Sequence, residues 1–171
     1  PTPVPMSEQG GEAAAAPPLG YALAQLHGVY ILSQNAQGLV LTDMHAAHER
    51  ITYERLKQRH ADGAIAGQRL LVPLDLRVSE AEADLAEEQR GELAALGLVV
   101  DRSGPENLLL RELPALLARA DAAQLLRDVL AELESGGGTV GRSGQLESVT
   151  NGILSTMACH GAVRANRQLT L

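Results

Sequence analysis

The chain has 171 residues, 45% hydrophobic and 20% charged, a composition suited to one sizeable core or two small ones. With no Phe, no Trp and three Tyr (Tyr21, Tyr30, Tyr53), the core must come from Leu, Ala and Val, and aromatic platforms for single-stranded nucleic acid are not expected. A formal net charge of -7 repels polyphosphate unless metal ions or a local basic strip intervene, one cysteine (Cys159) rules out an intrachain disulfide, and no run of about 18 apolar residues could span a membrane.

No charged-then-apolar leader opens the sequence, and a cytoplasmic location is expected. Residues 1–18 carry five prolines, two glycines and an alanine run without a periodic apolar face, which is flexible-linker composition of the kind that precedes a domain cut from a longer protein. Folding is expected to begin near Leu19. Residues 20–43 alternate aliphatic and β-branched runs (YALAQLHG, VYILS, LVLTD) with Gly and Asn punctuation, predicting antiparallel strands. Helical composition follows over residues 44–60, with Asp62-Gly63 as its stop.

Ser79 followed by Glu82 has capping-box spacing and predicts one helix running to about Leu96, where Gly97 ends it. Residues 97–102 and 107–112 read as two short strands around Ser103-Gly104-Pro105. Leu126, Val129, Leu130 and Leu133 mark the apolar face of a helix over residues 121–134. The stretch SGGGTVGRSG at 135–144 lacks the spacing of a phosphate-binding loop and reads as a linker or subdomain boundary. A last helix is expected over 145–164, with Leu146, Val149, Ile153 and Met157 in its core stripe.

The densest chemistry lies in DMHAAHERITYE, residues 43–54. Asp43 ends a strand, His45 opens a helix, and Glu49 lies one turn on, so a carboxylate, an imidazole and a second carboxylate could converge on a divalent ion of the manganese or zinc kind. His48 is a further neighbour at i+3. Glu54 stands about 140° round the helix from Glu49 and is not expected to touch the ion. The same residues also admit a plainer account: Asp43 as no more than a helix cap for the Ala46 N–H, and His45 with Glu49 as a solvated pair one turn apart.

A second stretch, Gly67-Gln68-Arg69-Leu70-Leu71-Val72-Pro73, sets adjacent leucines in an extended segment closed by a residue that cannot donate to a sheet, so an edge strand is expected. Such a strip is either an ordinary edge or a peptide that docks in another protein's groove, with the leucines filling a pocket and the Gln amide fixing register.

DMHAAHERITYE resembles the endonuclease motif in the C-terminal domain of the MutL family of DNA mismatch-repair proteins, D-[QM]-H-A-x-x-E-x-x-x-x-E; Asp43, Met44, His45, Ala46, Glu49 and Glu54 fill every specified place. The stretch from Ala158 to Asn166 is similar to the family's A-C-[KR]-x-A-[IV]-[KR]-A-N segment, with His160 in the basic position, so the resemblance extends from Leu19 to Leu171. It implies an α+β domain that forms a homodimer, holds one or two zinc or manganese ions and nicks double-stranded DNA, which it binds weakly alone. Carried over by position, Asp43, His45 and Glu49 would be the metal ligands and catalytic residues, with Glu54, Cys159 and His160 beside the site. A bound ion would also offset the chain's negative charge at the phosphodiester.

Within the same resemblance, Gln68, Leu70, Leu71 and Pro73 match a Q-x-L-L-x-P motif that docks on the sliding clamp of the DNA polymerase, which would raise the local concentration of a weak nuclease on DNA. The implied organisation is an antiparallel sheet with helices forming a dimerisation and endonuclease subdomain from residues 19–63 and 140–171, interrupted by a small α+β regulatory subdomain at 64–139. Active family members end in a Cys-Pro-His-Gly-Arg-Pro motif or a close relative, and nothing like it follows Cys159. Thr170 reads as a cap without its helix, so the C-terminal end is expected to be missing, and with it part of the metal set on which nicking by an endonuclease of this family depends. The competing readings are a non-catalytic dimerisation and clamp-docking module, and a metallohydrolase unrelated to this family.

Overall fold

The computed structural model describes residues 17–136 and 143–161, the side chains of 143–147 excepted. Expectations for the linker at 1–16, the glycine-rich stretch at 137–142 and the segment from 162 onward lie outside the described residues. The fold is α+β, as expected, with two three-stranded antiparallel sheets. The chain divides into two compact units, with the break between Asp43 and Met44.

The first unit is a meander of β1 (Tyr21–Leu26), β2 (Tyr30–Asn35) and β3 (Gly38–Asp43), in that spatial order. Both turns follow from local chemistry. His27 and Gly28 both have positive φ (51° and 66°) and Val29 N donates to Leu26 O at 3.0 Å, the type I′ geometry whose twist suits a hairpin. At the second turn Asn35 Oδ1 accepts from Gln37 N (2.9 Å) and Gly38 N (3.1 Å), an Asx turn that sets the pairing of Asn35 with Gly38. Ser33 is buried in mid-strand, and its hydroxyl donates to Leu19 O at 2.6 Å.

The second unit begins with α1 (Met44–Ala61) and continues through β4 (Gly67–Arg77), α2 (Glu80–Glu88), α3 (Arg90–Ala95), β5 (Val99–Gly104), β6 (Asn107–Pro114), a 3-10 turn at Ala115–Leu117, α4 (Ala122–Gly136) and α5 (Ser143–Gly161). Its sheet runs β4-β6-β5, so β4 lies at an edge, as Pro73 suggests. One core joins sheet and helices: Leu76, Leu108 and Leu110 from the strands, Leu125, Leu126 and Leu130 from α4, Leu56 from α1, and Ile153, Leu154 and Met157 from α5. Each fully buried leucine stabilises the fold by roughly 1.5–3 kcal/mol relative to an exposed one.

The capping box forms as its spacing predicts: Glu82 N donates to Ser79 Oγ (3.2 Å) while Ser79 N donates to Glu82 Oε2 (2.7 Å). The helix it opens does not run unbroken to Leu96. Gln89 leaves helical geometry (φ -95°, ψ 18°) and splits the segment into α2 and α3, next to Gly91, the weakest helix former in the run. Gly97 is the predicted stop, with φ 81°. Gly97 N donates to Ala94 O and Leu98 N to Leu93 O, and a Cβ at Gly97 would meet Ile65 O at 2.9 Å, so only glycine fits this Schellman turn.

Candidate functional site

The residues of the 43–54 motif fall on two elements. Asp43 is the last residue of β3, paired in register with Tyr30 and half-buried. His45, His48, Glu49 and Glu54 all lie on α1, whose core-facing ridge is Met44, His48, Thr52 and Leu56 at four-residue steps. Gly161, at the end of α5, packs on this ridge so closely that a Cβ there would stand 3.1 Å from Thr52 Cγ2 and 2.6 Å from Leu117 Cδ2.

His45 is exposed at the helix start, and Glu49 is half-buried one turn on. His48 is half-buried, and its Nδ1, sealed from solvent, has no hydrogen-bond partner. Such an atom costs the fold the desolvation of a polar group, roughly 1–3 kcal/mol, unless something else satisfies it. The imidazole of His45 and the carboxylate of Glu49, one turn apart, are donor types that suit a divalent ion. Among the described residues no group of three or more His, Cys, Asp or Glu side chains stands together at metal-binding range. Glu54 meets Arg50 Nη2 at 2.5 Å, one turn back on the same helix.

An open depression of about 320 Å³ lies between α1 and α5, lined by Ala46, Glu49, Arg50, Tyr53 and Ser155. The Tyr53 hydroxyl donates to Asn151 Oδ1 at 3.1 Å, pinning α1 to α5. Arg50 and Lys57 both stand over the Tyr53 ring, 5.6 and 5.9 Å from its centroid. Sequence reasoning named neither cation. Its signal was present, since residues 46, 50, 53 and 57 share one stripe of a helix.

On α5, Cys159 is exposed. The His160 imidazole is engaged: its Nε2 lies 2.8 Å from Asp128 Oδ2 on α4.

The leucine strip is the most irregular part of its sheet. Gln68 pairs with Leu113 and Arg69 with Glu112, but pairing resumes only at Leu74 with Leu110, so residues 70–73 stand opposite Arg111 alone. The surplus backbone bulges out of the ladder. Leu71 is completely exposed (103%) and Val72 nearly so (78%), while Leu70 packs partly against the core. Gln68 is exposed and Pro73 half-buried.

A further surface escaped the sequence reading. Strand register puts Leu26, Tyr30 and Asp43, then Ala24, Leu32 and Leu41, then Tyr21, Gln34 and Leu39 on one largely apolar face of the β1–β3 sheet. Tyr21 (65%), Leu39 (68%) and Leu41 (58%) are largely exposed there. The alternation of large apolar residues along each strand carried the signal, but it does not say which face stays uncovered.

Residues 23–169 match the family described as the MutL C terminal dimerisation domain. The chain is 59% identical over 155 residues to the DNA mismatch repair protein MutL of Pseudomonas paraeruginosa, covering 91% of this chain and 24% of that protein. It is 57% identical over 155 residues to MutL of Xanthomonas campestris, with the same coverage, and 55% identical over 160 residues to MutL of Xanthomonas oryzae, covering 94% of this chain and 25% of that protein. The chain thus spans about a quarter of the length of these relatives. No helix among the described residues is long and apolar enough to cross a membrane.

Proposed function

The chain belongs to the MutL C-terminal dimerisation domain family, and from that premise we propose that it is the self-associating, DNA-nicking end of a mismatch-repair protein, brought to its substrate by a polymerase sliding clamp. The observation that carries the nuclease reading is the complete motif from Asp43 to Glu54 at the junction of β3 and α1. Asp43, His45 and Glu49 would hold a divalent ion, manganese or zinc, whose chemistry is to acidify a water and neutralise charge on a phosphodiester. His45, exposed, would meet the ion from the solvent side. Glu49, half-buried, is held in place by the helix on the rim of the depression.

Self-association is supported by the uncovered apolar face of the β1–β3 sheet, which fits a second copy of itself: a two-fold interface needs one self-complementary patch. Clamp docking is supported by the bulge at residues 70–73, which lifts Leu71 and Val72 free of the sheet, with Gln68 exposed before them. The inserted-subdomain reading of residues 64–139 puts this strip on the regulatory part.

The test is relaxation of supercoiled plasmid by the chain in the presence of manganese. Nicking that Asp43→Asn abolishes while self-association persists supports the reading. Equal nicking by both proteins refutes it. A plasmid left supercoiled, with clamp capture intact, favours the non-catalytic docking module, which the same bulge supports.

A further inference from the structure

We propose that the α1–α5 depression and the surface around Tyr53 next to it seat one stretch of DNA phosphate backbone, met by Arg50 and Ser155 in the depression and by Lys57 and Asn151, which contact Tyr53, beside it. This rests on the nuclease reading above and deepens it by naming how an acidic chain holds its polyanionic substrate. The formal charge of -7 is unevenly spread: α1 carries Arg50, Arg55, Lys57 and Arg59 against Glu49 and Glu54. Two of those four cations, Arg50 and Lys57, converge on a single ring.

That convergence is preorganisation. Contact with an aromatic face restrains two long side chains that would otherwise lose rotamer freedom on binding, and Tyr53 is itself fixed by its bond to Asn151. Because Asn151 accepts through Oδ1, its amide nitrogen is left to donate. Ser155 is exposed and lines the depression, adding a hydroxyl donor. Glu54 meets Arg50 at Nη2, so a phosphate shares the guanidinium with it, using another edge of the five-donor fork. Glu49 lies on the same rim, which puts the bound backbone next to the residue expected to hold the ion.

The experiment measures anisotropy of a fluorescein-labelled duplex oligonucleotide with the whole chain in EDTA, across a range of salt. Arg50→Ala with Lys57→Ala is expected to weaken binding about tenfold and to lower the salt dependence by about two phosphate contacts. Ser155→Asp, an exposed change that leaves α1 untouched, is expected to weaken it as well. Arg55→Ala with Arg59→Ala removes as much charge from elsewhere on the helix and is expected to change affinity much less. No measurable binding by the unaltered chain, equal losses from the two cation pairs, or unchanged affinity in both seat variants would each overturn the seat. Because metal is absent, the seat can fail while Asp43-dependent nicking stands. Nicking unaffected by Asp43→Asn would sink the nuclease reading and leave the seat standing.

Discussion

His160 Nε2 lies 2.8 Å from Asp128 Oδ2, and one helical turn earlier on α5 the Thr156 hydroxyl donates to Glu132 Oε1 at 3.1 Å. Residues 128 and 132 pair with 160 and 156, so two polar rungs at four-residue spacing set the register of antiparallel α4 and α5. Between them they hold the end of α5 against the buried ridge of α1.

Removing one partner of the outer rung leaves a partly buried group unsatisfied. Asp128→Ala and His160→Ala are each expected to destabilise the chain by about 1 kcal/mol in urea denaturation, and the double variant by less than their sum. Strict additivity would show that the two side chains do not work as a pair.

The capping box gives a pH-dependent prediction. Hydrogen bonds from the Ser79 backbone and hydroxyl, aided by Arg127, hold the Glu82 carboxyl below its ordinary range. A depressed folded-state pKa means that ionised Glu82 stabilises the fold above the unfolded-state value of about 4.3, and that this contribution is lost as pH falls from there through the lower folded value. Glu82→Gln should therefore cost stability at neutral pH, with the gap to wild type closing in acid. Ser79→Ala should cost about 1 kcal/mol at pH 7. A Glu82→Gln deficit independent of pH would contradict this account of the cap.

At the bulge, exposure separates docking from folding. Leu71 has no packing to lose, so Leu71→Ala with Gln68→Ala is expected to shift stability by no more than about 0.5 kcal/mol while weakening capture by an immobilised sliding clamp. Undiminished capture would reject the strip as the contact.

The apolar sheet face should behave as an interface. Leu39→Glu with Leu41→Glu replaces two exposed leucines on the β3 side of that face, and sedimentation should show the dimer weakened by about a hundredfold or more, since burying each leucine is worth roughly 1.5–3 kcal/mol. An unchanged association constant would place the dimer contact elsewhere.

Much of this architecture could be read from local signals. Ser79 with Glu82, Gly97 after Leu96, and Asn35 before Gly38 each specify a cap or turn through atoms within about one turn of backbone, so their residue types sufficed. The strands of the first sheet followed from aliphatic and β-branched runs between Gly and Asn, the edge position of β4 from Pro73, and the apolar face of α4 from periodicity. The motif at 43–54 was legible as a pattern, and family membership agrees with the resemblance it suggested.

What only the tertiary structure decided depends on elements distant in the chain. The break at Gln89, the surplus of residues 70–73 opposite Arg111, the pairing of His160 with Asp128, and the isolation of His48 Nδ1 depend on which partners the fold brings within reach. Hydrogen bonds and packing act over a few ångströms of space, not of sequence. The chain could therefore announce its caps, turns and ligand types, while the fold chose which side chains stand exposed, paired or unsatisfied.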